Sequence, residues 1–342
     1  MPEIPATFRF GSKLRRRIAL IGAPTEAGTA QPGTGMGPAS LRVAGLENAL
    51  AALGHQVSDY GDVAAWSGDE RPQRPDKYAA VAAWAGALAR AGYAALRRAE
   101  TPVFMGGDHS LSMGSVAGVA RYCREEDREL FVLWLDAHAD FNTPLTSPSG
   151  SLHGMPVAAI CGEPGLAEVR RTAGDAVVPY ANVYQFGIRS IDREERALLR
   201  ERGVHVADMR TLDEFGVVAS LRQIVDAIQA RGGLLHVSLD VDFLDPGVAP
   251  GVATPVPGGA TYREAHFIME MLHDSGLVLS FDIAELNPFL DERGRTARLL
   301  VELAASLFGR QIIDRALPEQ SEDDHETADR ESHRDRIAAG RT

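Results

Sequence analysis

Three short stretches of the chain are rich in aspartate and histidine, and each follows a run of apolar residues. They are GGDHS (106–110), DAHAD (136–140) and SLDVDFLDP (238–246). In an extended chain, alternate side chains share one face. Asp136, His138 and Asp140 are therefore expected to converge, and so are Asp240 and Asp242. Side chains of these types in one place are typical of metal ligands.

The chemistry of this set favours a site for two metal ions. Four carboxylates packed together repel one another and should not all stay ionised, and one or two divalent cations would remove the repulsion. Imidazole with carboxylate suits Mn²⁺, Fe²⁺, Co²⁺ or Zn²⁺, and the lack of cysteine ligands favours Mn²⁺. Because a carboxylate can bridge two ions, the set is large enough for a two-metal site. A single strand-end aspartate often only caps a turn, but three such stretches together favour the metal site.

The apolar runs before the polar stretches are expected to be strands of a parallel sheet. Continuous hydrophobicity suits strands that are covered on both faces. The predicted strands are 16–24, 101–108, 129–138, 181–190, 233–242 and 276–286. The predicted helices are 77–98, 193–202, 215–231, 261–274 and 296–309. This alternation predicts a single α/β domain with a central, mainly parallel sheet flanked by helices on both faces, and ligands bind beyond the carboxyl ends of such strands.

Composition narrows the class of protein. With 342 residues, 45% of them hydrophobic, we expect one domain over 16–314, an N-terminal extension over 1–15 and a disordered polar tail over 315–342. The net charge of −12 disfavours nucleic acid and anionic membranes as partners. No segment approaches about 18 apolar residues, as a membrane span requires. The two cysteines suit a reducing compartment, so we expect a soluble cytoplasmic protein.

The motifs, in this order, resemble those of the arginase/agmatinase family of ureohydrolases. The resemblance runs from IALIGAPTEAG near the start to residue 309, and includes DAHADFNTP and TPVPGGATYRE. It implies a two-manganese site, an α/β fold with a parallel sheet and assembly as homo-trimers or homo-hexamers. The loop DFNTPLTSPSGSLHGMP (140–156) most resembles the substrate loop of arginases. The expected substrate is thus a small guanidino compound, and the expected reaction converts L-arginine and water to L-ornithine and urea.

The resemblance also implies roles for individual residues. One metal would be held by His109, Asp136, Asp140 and Asp240, and the other by Asp136, His138, Asp240 and Asp242. Asp136 and Asp240 would then bridge the ions. Glu285 would pair with the guanidinium, because planar guanidinium and carboxylate form bidentate pairs. His153 would relay a proton to the leaving amine, and Asp140 would also accept a hydrogen bond from the attacking hydroxide.

Substrate choice would be determined farther from the metals. The matching positions are Asn142, Ser149 and Ser151 for a substrate carboxylate, Asp192 and Glu195 for its ammonium, and Thr254 in the pocket wall. Ser151 stands where arginases usually carry Asn, and Ser190 stands where they usually carry Asp. These two departures bear on the substrate and leave the metal chemistry untouched.

Other functions are compatible with parts of this pattern. The nearest alternative is the same reaction on agmatine or on a guanidino acid. Agmatine has no carboxylate, so Asn142 and Ser149 would then have no anion to bind. An amide deacetylase with a single zinc uses a similar architecture, but the carboxylates here are too many for that site. A non-catalytic metal-binding homologue is the alternative from another class of protein. Metal analysis with an activity assay would distinguish it from an enzyme.

Overall fold

The computed structural model describes residues 15–66 and 76–311, and its central layer is an eight-stranded sheet. The strands are β1 Arg17–Ala23, β2 Gln56–Asp62, β3 Thr101–Gly106, β4 Leu130–Leu135, β5 Val183–Ile188, β6 His205–Asp208, β7 Leu234–Asp240 and β8 Val278–Ala284. All pairings are parallel, in the order β2-β1-β3-β8-β7-β4-β5-β6. The predicted fold class is confirmed. The predicted N-terminal extension and polar tail lie, except for Arg15, outside the described residues.

Helices cover both faces of the sheet. They are α1 Gly37–Val43, α2 Leu46–Ala51, α3 Lys77–Arg97, α4 Ser112–Glu125, α5 Pro156–Cys161, α6 Ala167–Thr172, α7 Arg193–Arg202, α8 Met209–Phe215, α9 Val217–Ala230, α10 Tyr262–Ser275 and α11 Arg295–Leu307. Successive residues of β4 enter opposite cores: Phe131 and Leu133 pack with α9 and α10, whereas Val132 and Trp134 pack with α3 and α4. This alternation explains why the run is apolar throughout.

The sequence prediction missed the two edge strands and six helices: α1, α2, α4, α5, α6 and α8. β2 and β6 have mostly exposed or half-buried side chains, so they lack the continuous apolar run used to predict strands. The sequence of α4 contains two glycines that lower helix propensity. A Cβ at Gly114 would lie 2.5 Å from the carbonyl oxygen of Ala85, so glycine permits the close contact between α4 and α3. The predicted helix over 215–231 corresponds to α9; its first residue, Phe215, is the last residue of α8, and Gly216, where φ is 84°, lies between the two helices.

Among the helices within residues 15–66 and 76–311, α3 alone is long and apolar enough to cross a membrane by length and composition. The expectation that no segment approaches about 18 apolar residues is therefore wrong for α3. Its apolar residues, such as Val81, Ala85 and Leu88, are buried against α4 and the sheet. Burial of this kind is typical of a core helix in a folded domain.

Candidate active site

The polar stretches meet at one edge of the sheet. His109 follows β3, Asp136 follows β4, Asp240 ends β7 and Glu285 follows β8. These four strands are neighbours in the order β3-β8-β7-β4. Because parallel strands deliver their carboxyl ends to the same edge, segments that are distant in sequence place these side chains together.

The DAHAD stretch converges through turns and not through an extended strand. β4 ends at Leu135, and Asp140 adopts a left-handed backbone with φ of 49°. One carboxylate oxygen of Asp136 accepts the His138 N–H at 2.6 Å, and one of Asp240 accepts the Asp242 N–H at 2.8 Å. Each aspartate thus closes a tight turn with the residue two positions later. The predicted convergence is confirmed, but the extended-chain reason for it is wrong.

His109 lies within a ring of carboxylates. Its Nδ1 is 2.9 Å from Asp240 Oδ2, 3.1 Å from Asp136 Oδ2 and 3.2 Å from Asp140 Oδ2. This nitrogen is buried, yet it makes no hydrogen bond of acceptable geometry with any described residue. One nitrogen and three oxygens that face a common point, without being aimed at one another, fit a cation at that point. Imidazole with carboxylates suits a divalent transition metal.

A second group of ligand atoms shares Asp136 with the first. His138 Nδ1 lies 3.0 Å from Asp242 Oδ2 and 3.6 Å from Asp136 Oδ1. Asp136 therefore turns Oδ2 toward His109 and Oδ1 toward His138. In the described part of the chain, the sets whose ligand atoms are close enough together to hold an ion are His109, Asp136 and Asp140, and Asp136, His138 and Asp242. A carboxylate that faces both groups suits a site for two metals.

The pKa values of the group reflect crowded negative charge in a buried place. Burial, with the nearby charge of Asp136, raises the pKa of Asp140 to about 6. Burial and the charge of Asp242 raise the pKa of Asp240 well above its usual range. Burial lowers the pKa of His138, but its bonds to Asp136 and Asp242 outweigh this and raise that pKa to about 12. The group thus needs positive charge, which protons or cations can supply.

Glu285 and His153 form a buried pair beside the metal-ligand groups. Glu285 Oε1 accepts the His109 N–H at 2.7 Å and lies 2.9 Å from His153 Nδ1. Its Oε2 is buried, and nothing in the described chain donates a hydrogen bond to it. A buried carboxylate oxygen without a donor is unusual, and a guanidinium would supply the missing donor. Burial lowers the pKa of His153, but the charge of Glu285 and the bond to it raise that pKa to about 9.

A cavity of about 260 Å³ opens next to these groups. All six predicted substrate-contact residues line it: Asn142, Ser149, Ser151, Asp192, Glu195 and Thr254. Ser190, noted from the sequence as a departure, lines the same cavity. The sequence analysis missed Ser147, which also lines it. The signal available for Ser147 was its place in the substrate loop, between Asn142 and Ser149.

Hydrogen bonds among the lining residues make one wall of the cavity a connected unit. Asn142 Nδ2 donates to Asp192 Oδ2 at 2.9 Å, which joins a residue predicted to contact the substrate carboxylate to one predicted to contact the substrate ammonium. Glu195 is buried and accepts the N–H of Phe141 at 2.8 Å, and burial raises its pKa to about 7. Thr254 Oγ1 donates to Asp242 at 3.0 Å, so the cavity lining is also tied to the second metal-ligand group.

Known proteins resemble this chain over most of its length. Residues 16–309 match the family model for the arginase family. An arginase from Agrobacterium fabrum is 53% identical over 299 residues, which cover 86% of this chain and 92% of that protein. The native structure of arginase from Bacillus caldovelox superposes with a TM-score of 0.80 at 37% identity and covers 87% of this chain and 100% of that one.

A more distant structure shows the breadth of the fold. Proclavaminate amidino hydrolase from Streptomyces clavuligerus superposes with a TM-score of 0.63 at 27% identity, covering 90% of this chain and 96% of that one. Members of the matched family depend on metal and act on small guanidino molecules, which agrees with the histidine and aspartate groups at the sheet edge. By its family-model match, its close relatives and its fold, the chain belongs to the arginase family.

Proposed function

We propose that this protein hydrolyses the guanidinium group of L-arginine, giving L-ornithine and urea, with two Mn²⁺ ions per subunit. The observation that carries the proposal is the position of Glu285, whose Oε2 is buried without a donor from residues 15–66 and 76–311, beside side chains that could hold two metals. A guanidinium cation would donate to that oxygen, and its carbon would then lie near the residues that would hold the metals. Urea release from L-arginine, compared with agmatine and guanidinobutyrate after incubation with Mn²⁺, tests the proposal.

The proposed metal ligands combine the two groups of side chains with Asp240, which the family resemblance assigns to both ions. The first ion would be held by His109, Asp136, Asp140 and Asp240, and the second by Asp136, His138, Asp240 and Asp242. The oxygen-rich set without cysteine favours Mn²⁺ over softer metals. When bound, the two ions would supply Lewis acidity that lowers the pKa of water, so that hydroxide is available near neutral pH.

The remaining steps depend on side chains of this chain. Glu285 would bind and orient the planar guanidinium, which is resonance-stabilised and a poor electrophile unless it is held correctly. Asp140 would accept a hydrogen bond from the attacking hydroxide. Protonated His153 donates from Nδ1 to Glu285, which leaves the proton on Nε2 for the departing amine.

Replacing His153 should slow turnover without loss of metal. We expect His153→Asn to keep both ions and to lower kcat by roughly 10²–10⁴-fold, the usual contribution of a general acid. With His153 in place, turnover should fall as the pH rises through the pKa of this residue, because the proton-donating form is lost. His153→Asn should lack that alkaline fall. His205→Asn, an exposed change on edge strand β6, serves as the matched control. Unchanged kcat in His153→Asn would rule out the proton relay.

Recognition of the amino-acid end of the substrate is proposed for the outer cavity. Asn142, Ser149 and Ser151 would contact the carboxylate, and Asp192 and Glu195 the ammonium. Support comes from their shared cavity and from the bond between Asn142 and Asp192, which couples the two subsites. Thr254 would hold Asp242 in place through its hydroxyl.

The departure at Ser151 gives a substrate-specific prediction. Asn has a longer arm with an amide donor, and a hydrogen bond contributes about 0.5–1.5 kcal/mol, more to a charged partner. We expect Ser151→Asn to lower KM for arginine a few-fold, with little change in kcat because the carboxylate is remote from the reacting carbon. Agmatine lacks the carboxylate and is the control substrate. An equal change for both substrates would show that Ser151 does not contact the carboxylate.

Cytoplasmic location and assembly as a homo-trimer or homo-hexamer are also proposed. Both cysteines are buried free thiols, as is usual in a reducing compartment. Large apolar side chains such as Phe215 and Phe289 are exposed, at 65% and 78%, and subunit contacts would cover such residues. The mass of the full-length protein in solution distinguishes one, three and six copies.

A further inference from the structure

The chain segment that follows β1 contacts the loop that carries His153. The carbonyl oxygen of Gly28 accepts the N–H groups of Leu152 at 2.9 Å and of His153 at 3.2 Å. The N–H of Gly28 in turn donates to Asp108 Oδ2 at 2.7 Å. Gly28 and Asp108 are buried, and none of the proposed reaction steps uses either of them. The backbone of His153 is therefore joined to the turn after β3 through a single residue, Gly28.

The same part of the chain also supports Glu285, the partner of His153. The carbonyl oxygen of Ala23, the last residue of β1, accepts the N–H of Gly107 at 2.8 Å. The carbonyl oxygen of Gly107 accepts the N–H of Glu285, also at 2.8 Å. His153 Nδ1 and Glu285 Oε1, which are 2.9 Å apart, are thus both anchored through short paths to residues 23–28.

Position 28 has no room for a side chain. A Cβ at Gly28 would lie 2.8 Å from the Cβ of Ser110, 2.9 Å from Asp108 Oδ1 and 2.9 Å from the backbone nitrogen of His153. Carbon atoms that are not bonded pack best at about 3.5–4.0 Å. Asp108 is held in place, because its Oδ1 accepts the N–H of Ser110 at 3.0 Å. An alanine at position 28 would therefore have to displace the chain at Gly28 or at His153.

We infer that Gly28, held by Asp108, is a positioning residue that keeps the backbone of His153 where its ring meets Glu285. The inference rests on the proposed function, in which His153 gives a proton to the departing amine. A general acid must lie within hydrogen-bond distance of the atom that it protonates. Within residues 15–66 and 76–311, Gly28 is hydrogen-bonded to none of the six proposed metal ligands. Its effect is therefore expected on turnover and not on metal binding.

The test is steady-state kinetics of the full-length Gly28→Ala variant on L-arginine, at saturating Mn²⁺. We expect kcat to fall about 10–100-fold, as when a catalytic group is misplaced by up to about 1 Å, with KM for arginine and the Mn²⁺ content unchanged. The double variant Gly28→Ala/His153→Asn should have the kcat of His153→Asn alone, because Gly28 acts through that ring. Unchanged kcat in Gly28→Ala, or a further loss of kcat in the double variant, would overturn the inference.

Asp108→Asn decides the question if Gly28→Ala does not fold. The amide has one oxygen acceptor fewer, so its NH₂ group faces the N–H of Gly28 or of Ser110. Its kcat should fall, and should not fall further when His153→Asn is added. Gly118→Ala is the matched control, because a Cβ there would overlap with the carbonyl oxygen of a residue of α3, outside the cavity lining. It should lower thermal stability and keep kcat. Failure of the proposed function has a different signature: no urea from wild-type protein that holds two ions.

Discussion

Asp136→Ala should remove both metal ions and reduce urea release below detection. Its two carboxylate oxygens face different metal-ligand groups, Oδ2 toward His109 and Oδ1 toward His138. Loss of Asp136 therefore removes a ligand from both groups. Without the ions, water keeps a pKa near 15.7 in place of about 7, and hydroxide is no longer available at neutral pH. Elemental analysis after dialysis gives the ions per chain, and a urea assay on the same samples gives the rate.

Two further variants sharpen the prediction for Asp136. His109→Ala should lose mainly one ion, because its Nδ1 adjoins only the first group. Asp245→Ala is the matched control, since this aspartate lies in the same SLDVDFLDP motif but accepts backbone N–H groups of Gly247 and Gly258. It should keep both ions. Loss of a single ion in both Asp136→Ala and His109→Ala would exclude the bridging role.

Glu285→Gln should keep both ions and lose most activity. The amide is almost the same size but carries no charge, so a buried guanidinium would lack its counter-charge. Removing one partner of a buried ion pair costs about 3–5 kcal/mol, which corresponds to roughly 10²–10⁴-fold in kcat/KM for arginine. Steady-state kinetics and metal analysis on one preparation provide the test.

Glu163→Gln is the control for this substitution. Glu163 is equally buried and accepts hydrogen bonds from Arg202 and Tyr180, outside the cavity. The Glu163→Gln variant should be less stable to heat and should keep kcat/KM for arginine near the wild-type value. If Glu285→Gln retained full activity with both ions bound, the guanidinium would have to bind elsewhere.

Interior strands were predictable from sequence because both of their faces are buried. The runs that became β4 and β7 are apolar for that reason, and their carboxyl ends carry Asp136 and Asp240. The edge strands β2 and β6 were missed, because an edge strand that is largely exposed resembles a loop in sequence. α4 was missed because its glycines serve packing against α3 and lower the local helix signal.

Residue types and the family resemblance identified the side chains of the site, but not the contacts between them. Asn142 and Asp192 were predicted separately, whereas they are hydrogen-bonded to each other. The buried pair of His236 and Asp282 could not be predicted, because β7 and β8 read as ordinary apolar strands. Only their register, which pairs Ser238 with Asp282, brings those groups behind His109. Such contacts depend on three-dimensional neighbours that one sequence does not specify.

Urea release from L-arginine by full-length protein, after incubation with Mn²⁺ and removal of unbound metal, tests the central claim most directly. Agmatine and guanidinobutyrate should be assayed in parallel. We expect urea and L-ornithine in equal amounts from L-arginine, much faster than urea from the other two compounds, with two Mn²⁺ per chain. Faster release from agmatine would contradict the proposed substrate. No urea from any of the three, by protein that holds both ions, would contradict hydrolysis of a guanidinium group.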